Sequence, residues 1–191
     1  MLTGLSLPAL LEELAAPREV PGAGSALAVA LAAAAAVVQM TARLSPESWA
    51  EAAGVAAQAD SLRERAARLV DEDAEAYGRA LEARVAVDEG QKPESRDWAL
   101  GQVTAAAAEP PLDLARLAAD VAELCAAAGP RVEVRVHADV AAAAALAAAV
   151  ARGARELVAV NLTALPGDGR IEEADRLVAV ADAAAARVAG A

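Results

Sequence analysis

Residues 26–40 read ALAVALAAAAAVVQM, apolar throughout except for Gln39, and the dozen residues after Asp139 are again only alanine, valine and leucine. Alanine loses no side-chain entropy in a helix, so runs of this kind specify helices whose small side chains let their axes approach closely. Hydrophobic residues make up 57% of the 191, yet aromatics are 2% and Phe is absent, which leaves few bulky groups to fill a core. Small side chains bury little area apiece, so stability must come from many close contacts or from a subunit interface. The expected fold is therefore all-α: a multi-helix bundle with long alanine-rich core helices, one domain over residues 1–191, and oligomeric. The run 26–40 is also about fifteen residues long where a bilayer needs about 20, which favours a core helix over a membrane span.

Punctuation along the chain divides it into helices. Ser6-Leu7-Pro8 is a helix start, and an amphipathic helix follows to about Ala16. Two prolines and two glycines make Pro17-Arg18-Glu19-Val20-Pro21-Gly22-Ala23-Gly24 a turn, after which Ser25 opens a helix to about Leu44. Ser45-Pro46-Glu47 repeats the start signal and leads a helical pattern to about Val87, with an interruption expected near Gly54. Beyond the polar loop of residues 88–93, helices are expected from Glu94 to Ala108, ended by Pro110-Pro111, and from Leu112 to Ala128, closed by Gly129-Pro130. Two more run from Ala138 to about Leu157 and from Glu172 to Val188. Residues 131–137 alternate apolar and polar side chains, as a half-buried strand would, with residues 157–160 the only plausible partner; otherwise 131–137 form an extended loop.

A net charge of −11 argues against sequence-independent binding to nucleic acid or anionic lipid, though a local Arg or a helix N-terminus can still hold a small anion. With one cysteine and one histidine there is no intrachain disulfide and no cysteine metal cluster, and a zinc site is not expected. Cys125 reads as a small core hydrophobe. The N-terminus has no basic stretch followed by an apolar core, so a cytoplasmic address is the expectation.

Candidate sites come from polar residues in apolar settings. The Gly22–Ser25 turn feeds a helix whose first N–H groups lack intrahelical partners; it can receive a carboxylate or phosphate, or be a plain turn capped by Ser25. Asp71 and Asp73 share an acidic cluster with Glu72 and Glu75 that can equally be a solvated face, but Asp73 has Tyr77 one turn on. Asp139 opens an apolar helix; it either caps that helix or, if buried, has a raised pKa suited to acid–base work. His137 stands two residues earlier and is a possible proton shuttle or simply structural. Arg96 is either an anion clamp or a surface ion pair, and Asn161 is an amide in apolar surroundings that must pair with ligand or backbone.

Several of these segments together resemble a known family. Pro21-Gly22-Ala23-Gly24-Ser25-Ala26 before an alanine-rich helix is similar to the Pro-Gly-Gly-Gly-Ser segment of the formiminotransferase-cyclodeaminase family, which includes methenyltetrahydrofolate cyclohydrolases. Asp73-Ala74-Glu75-Ala76-Tyr77 resembles its Asp-Ala-x-Ala-aromatic stretch, Arg96 and then Pro111-Leu112 follow in order, Asp139-Val140-Ala141 resembles its Ser-Asp-x-x-Val-Ala element, and Val160-Asn161-Leu162 resembles a late Val-x-x-Asn-Leu. Ala23 and Ala138 stand where that family has glycine and serine. The resemblance implies hydrolysis of 5,10-methenyltetrahydrofolate to 10-formyltetrahydrofolate, or cyclodeamination of 5-formiminotetrahydrofolate. Asp139 and Asp73 would be the catalytic groups, with Pro21, Gly22, Gly24, Ser25, Tyr77, Arg96 and Asn161 binding substrate. Asp73 would hold the amino group and ring N–H of the pterin. It further implies a homodimer whose tetrahydrofolate derivative is substrate, with no separate cofactor or metal. A folate-binding relative without turnover, and a helical module assembling through alanine faces, remain alternatives.

Overall fold

Helices form wherever the alanine-rich periodicity runs. The computed structural model describes residues 1–45, 49–86, 93–165 and 167–190, with the side chains of 93–97 and 100 outside that description. The elements are α1 (Leu7–Ala15), α2 (Ala23–Arg43), α3 (Ala52–Ala86), α4 (Pro93–Ala106), α5 (Glu109–Ala128), α6 (His137–Asn161) and α7 (Gly169–Ala189), with short 3-10 turns at Leu2–Gly4 and Val134–Val136. Among the described residues there is no strand, so the fold is all-α.

The core is an alanine lattice. Along α2 the buried positions Ala28, Leu31, Ala35, Val38 and Ala42 recur at alternating steps of three and four, as do Ala144, Ala147, Ala151, Ala154 and Val158 on α6. That 3.5-residue spacing keeps one face of each helix against its neighbours over many turns, and alanine at the contacts allows interaxial distances at the short end of about 8–10 Å. The helix α2 packs on α3, α5 and α6, while α5, α6 and α7 pack on one another. Gly153 shows how close the approach is: a Cβ there would meet the Leu27 methyls at 2.9–3.0 Å. A smaller cluster of Ala105, Ala108, Leu112, Val158, Leu162 and Ala174 closes one end of the bundle.

Local chemistry sets the helix ends. The Ser6 hydroxyl accepts from the Ala9 N–H at 3.4 Å and caps α1. Pro110 and Pro111 sit in the first turn of α5, where a missing N–H costs nothing, so they begin that helix rather than only ending α4. Asp168 caps α7 through the Arg170 N–H, and the Arg170 guanidinium donates to Asp168, Glu109 and the Ala105 carbonyl, tying α4, α5 and α7 together. The two hydrogen bonds from Arg170 hold the Asp168 carboxyl down at about 2.

Four sequence expectations change. Residues 131–137 are neither strand nor extended loop: they make a 3-10 turn running into α6, and the supposed partner at 157–160 lies within α6 itself. Alternation alone cannot make a strand when no second segment offers its backbone groups. Ser45 does not start α3; its hydroxyl donates to the Thr41 carbonyl at 2.9 Å and accepts from the Glu133 N–H, while Pro46 and Glu47 lie outside the described residues. Gly54 sits inside an uninterrupted α3. Finally, the length argument against a membrane span fails, because α2 and the stretch Val134–Asn161 are long and apolar enough to cross one; what marks them as core helices is that both pack against other helices here.

Candidate active site

The turn before α2 carries Glu19 and Pro21, joined through a cis Val20–Pro21 bond, and delivers Gly22 as the α2 N-cap with no side-chain cap of its own. The vacant N-terminus of α2 is filled from α3. The Asp73 carboxylate accepts from the Ser25 N–H, so the helix end that the sequence offered to an exogenous anion already holds an internal one. Gly24 makes this possible: a Cβ at that position would lie closer than 3.0 Å to the Asp73 carboxylate. Ser25 is not a cap either. It is fully buried in the first turn of α2, and its hydroxyl donates to the Val70 carbonyl at 2.8 Å, pinning α2 to α3 one turn before Asp73.

Asp73 faces a cavity of about 410 Å³ between the starts of α2 and α5, the second half of α3 and the end of α6. Its lining combines Glu19, Gly22, Gly24, Asp73, Tyr77 and Asn161 with the apolar Ala23, Pro111, Leu157 and Val160. Burial pushes the Asp73 carboxyl up to about 6, only partly offset by the Ser25 N–H. A carboxyl at that value exchanges protons readily near neutral pH, as acid–base catalysis requires. The Tyr77 hydroxyl donates to Glu19 Oε2 at 3.3 Å, and burial, then the Glu19 charge, raises its pKa, so it stays a protonated donor. Asn161 donates through Nδ2 to the Ala107 carbonyl at 3.0 Å, which fixes the amide orientation and leaves Oδ1 as an acceptor at the cavity. Two carboxylates against an apolar wall suit a ligand that carries positive charge or several N–H groups.

The structure thus brings Gly22, Gly24, Asp73, Tyr77 and Asn161 to one cavity, with Pro21 and Ser25 buried behind it as framework. It does not bring Asp139 there. The burial on which the acid–base reading of Asp139 depended is absent: its side chain is exposed at the start of α6, eighteen residues before Leu157 and so about 27 Å away along the helix. There it complements the positive end of the α6 dipole. His137 opens the same turn and is equally remote. Arg96 falls in α4 with its side chain outside the described residues. Asp71, two residues from Asp73, points elsewhere: it accepts from the Leu2 N–H and from the Thr3 hydroxyl at 2.7 Å, fastening the N-terminus to α3. Glu19 and Leu157 were not singled out in the sequence, and Val160 only as part of the Val160-Asn161-Leu162 segment; the signals were an acid inside a Gly/Pro turn and apolar residues one turn and one residue before Asn161. Cys125 is buried, with its thiol pushed up to about 12 by burial. Among the described residues no three His, Cys, Asp or Glu side chains converge as a metal site would need.

Comparison with known proteins agrees with the all-α fold. A family model described as formiminotransferase-cyclodeaminase matches residues 6–179. The crystal structure of formiminotetrahydrofolate cyclodeaminase from Thermotoga maritima superposes with a TM-score of 0.87 at 22% identity, covering 98% of this chain and 96% of that one, a likeness of fold. No curated protein matches by sequence. Of the two departures from the family pattern, Ala23 is exposed and lines the cavity, and Ala138 is exposed beside Asp139. The glycine that the site demands is Gly24, and it is present.

Proposed function

Since this chain belongs to the formiminotransferase-cyclodeaminase family, we propose that it catalyses a folate one-carbon reaction, cyclodeamination of 5-formiminotetrahydrofolate, with Asp73 as the proton-transfer group. The observation that carries this reading is the Asp73 carboxyl, held at about 6 at the head of α2 and facing a cavity that also holds Glu19. In the reaction N10 attacks the formimino carbon, a C–N bond forms, N10 loses its proton, and the exocyclic C–N bond breaks as ammonia leaves. One carboxylate serves both transfers, taking the proton from N10 and giving it to the departing nitrogen, and ends as it began. The reacting carbon is cationic in the protonated substrate and in the 5,10-methenyl product, and Asp73 with Glu19 supplies the compensating negative field. No electrons are exchanged, so the chemistry calls for no redox group.

The same cavity suits water addition to 5,10-methenyltetrahydrofolate, because an ionised Asp73 can take a proton from water as readily as from N10. The test runs both substrates on purified protein: appearance of the methenyl chromophore with ammonia from 5-formiminotetrahydrofolate, and decay of that chromophore from supplied 5,10-methenyltetrahydrofolate. Cyclodeamination predicts the first above the uncatalysed rate. Acceleration of the second alone would reassign the protein as a cyclohydrolase, and neither would remove the catalytic reading.

We also propose that the protein works as a homodimer joined along α2. Ala26, Ala33 and Met40 are exposed at seven-residue intervals on this most apolar helix, the repeat of a helix-pairing seam. Light scattering should give a dimer for wild type and a monomer for Ala33→Arg; a monomeric wild type would refute it.

A further inference from the structure

A second cavity, of about 540 Å³, adjoins the first and shares Tyr77, Val160 and Asn161 with it. The two are laid out along α3. Asp73, Tyr77, Ala80, Leu81 and Arg84 follow one another at steps of four, three, one and three, which places them on a single face of that helix. This face begins at a carboxylate and ends at a guanidinium, about 16 Å further along the axis. The charge of the lining changes with position: among the described residues the first cavity has Glu19 and Asp73 and no cation, whereas the second has Arg84 and no acid. Between them the shared lining is the Tyr77 ring, Val160 and the Asn161 amide. Arg84 is exposed, and among the described residues no carboxylate pairs with it. Of the described arginines without an ion pair, Arg84 is the one that lines a cavity adjoining that of Asp73, whereas Arg116, Arg152, Arg155, Arg170 and Arg187 each engage an acid.

A ligand that fills both cavities must therefore be long, with a cationic or N–H-rich group at one end, an apolar or aromatic middle and an anionic far end. Resting on the reading above, we infer that the second cavity is the subsite for the p-aminobenzoylglutamate arm of the substrate, with Arg84 binding its terminal carboxylate. The ring system with its one-carbon group then lies against Asp73, the arm passes Tyr77 and Val160, and the guanidinium fork meets the carboxylate bidentately. Arg84 touches neither the reacting carbon nor Asp73. Its contribution is the same in ground and transition states, so it sets KM and leaves kcat alone.

The test compares tetrahydrofolate with tetrahydropteroate, which lacks the glutamate, by calorimetric titration of wild-type protein and Arg84→Gln, with KM and kcat measured on the folate substrate. The expected result is that wild type prefers tetrahydrofolate by about five- to tenfold, as a partly solvated charge pair allows, and that Arg84→Gln abolishes this preference. Tetrahydropteroate affinity and kcat should not move. Equal binding of both ligands to wild type would overturn the subsite while leaving the Asp73 cavity as the ring site. A preference that survives in Arg84→Gln would overturn the role of Arg84. Failure of both ligands to bind would overturn both this inference and the folate reading beneath it.

Discussion

Replacing Asp73 with asparagine should stabilise the protein at neutral pH while removing its activity. The Asp73 carboxyl is raised from its ordinary 3.8 to about 6, chiefly by burial, so the folded state holds this proton more tightly than the unfolded chain does. Stability from this group is therefore full below about pH 3.8 and is lost as the pH rises through about 6; above that, the buried charge is a constant penalty. The gap between 3.8 and about 6, at about 1.4 kcal/mol per pH unit, sets that penalty at about 3 kcal/mol. Asparagine has the same shape, keeps an oxygen to accept from the Ser25 N–H and carries no charge. Urea unfolding of wild type and Asp73→Asn at equal protein concentration should give a variant more stable by up to about 3 kcal/mol at pH 7.5 and nearly equal to wild type at pH 4. Comparison at each pH cancels the titration of all other groups. A variant less stable than wild type by the same amount at both pH values would refute the reasoning, because Asp73 would then be a structural hydrogen-bond partner and not a charge held at a cost.

Other perturbations separate the framework from the chemistry. Gly24→Ala should push the Asp73 carboxylate off the Ser25 N–H and lower kcat by about 10- to 100-fold, as a displacement of about 1 Å does, and an unchanged kcat would show that the close approach is dispensable. Ser25→Ala should cost about 1 kcal/mol of stability through the lost bond to Val70 and leave KM unchanged; a several-fold rise in KM at unchanged stability would put its hydroxyl on the substrate instead. With Asp73 acting as a carboxylate, kcat/KM of wild type should rise with pH through a midpoint near 6, and a flat profile across that range would exclude Asp73 as the titrating group.

The helices were legible because a three–four alanine rhythm fits little else, and α2 begins only two residues before the start inferred at Ser25. The site was legible in its materials and less so in its assembly. Asp71 and Asp73 are two residues apart on a helix, so their side chains point about 200° apart, and which one faces a cavity depends on where α2 lands. The sequence marks both as acidic and marks neither as buried. The same gap misled over Asp139: alanine and valine around a residue make an apolar neighbourhood along the chain, but α6 turns its buried face through Val140 and Ala143 and leaves Asp139 outside. Gly24 could be noticed as a glycine at a helix start, yet its purpose, room for a carboxylate from another helix, exists only in three dimensions. Alternation in residues 131–137 likewise predicts a strand only when a partner is free to pair.

The central claim is that the Asp73 carboxylate moves the proton in folate cyclodeamination. It is tested most directly by single-turnover formation of 5,10-methenyltetrahydrofolate from 5-formiminotetrahydrofolate, with the substrate fully bound by an excess of wild type or of Asp73→Asn. The account predicts rapid chromophore formation by wild type and a rate at least a hundredfold lower for the variant, with substrate still bound. Equal single-turnover rates for the two proteins would contradict it.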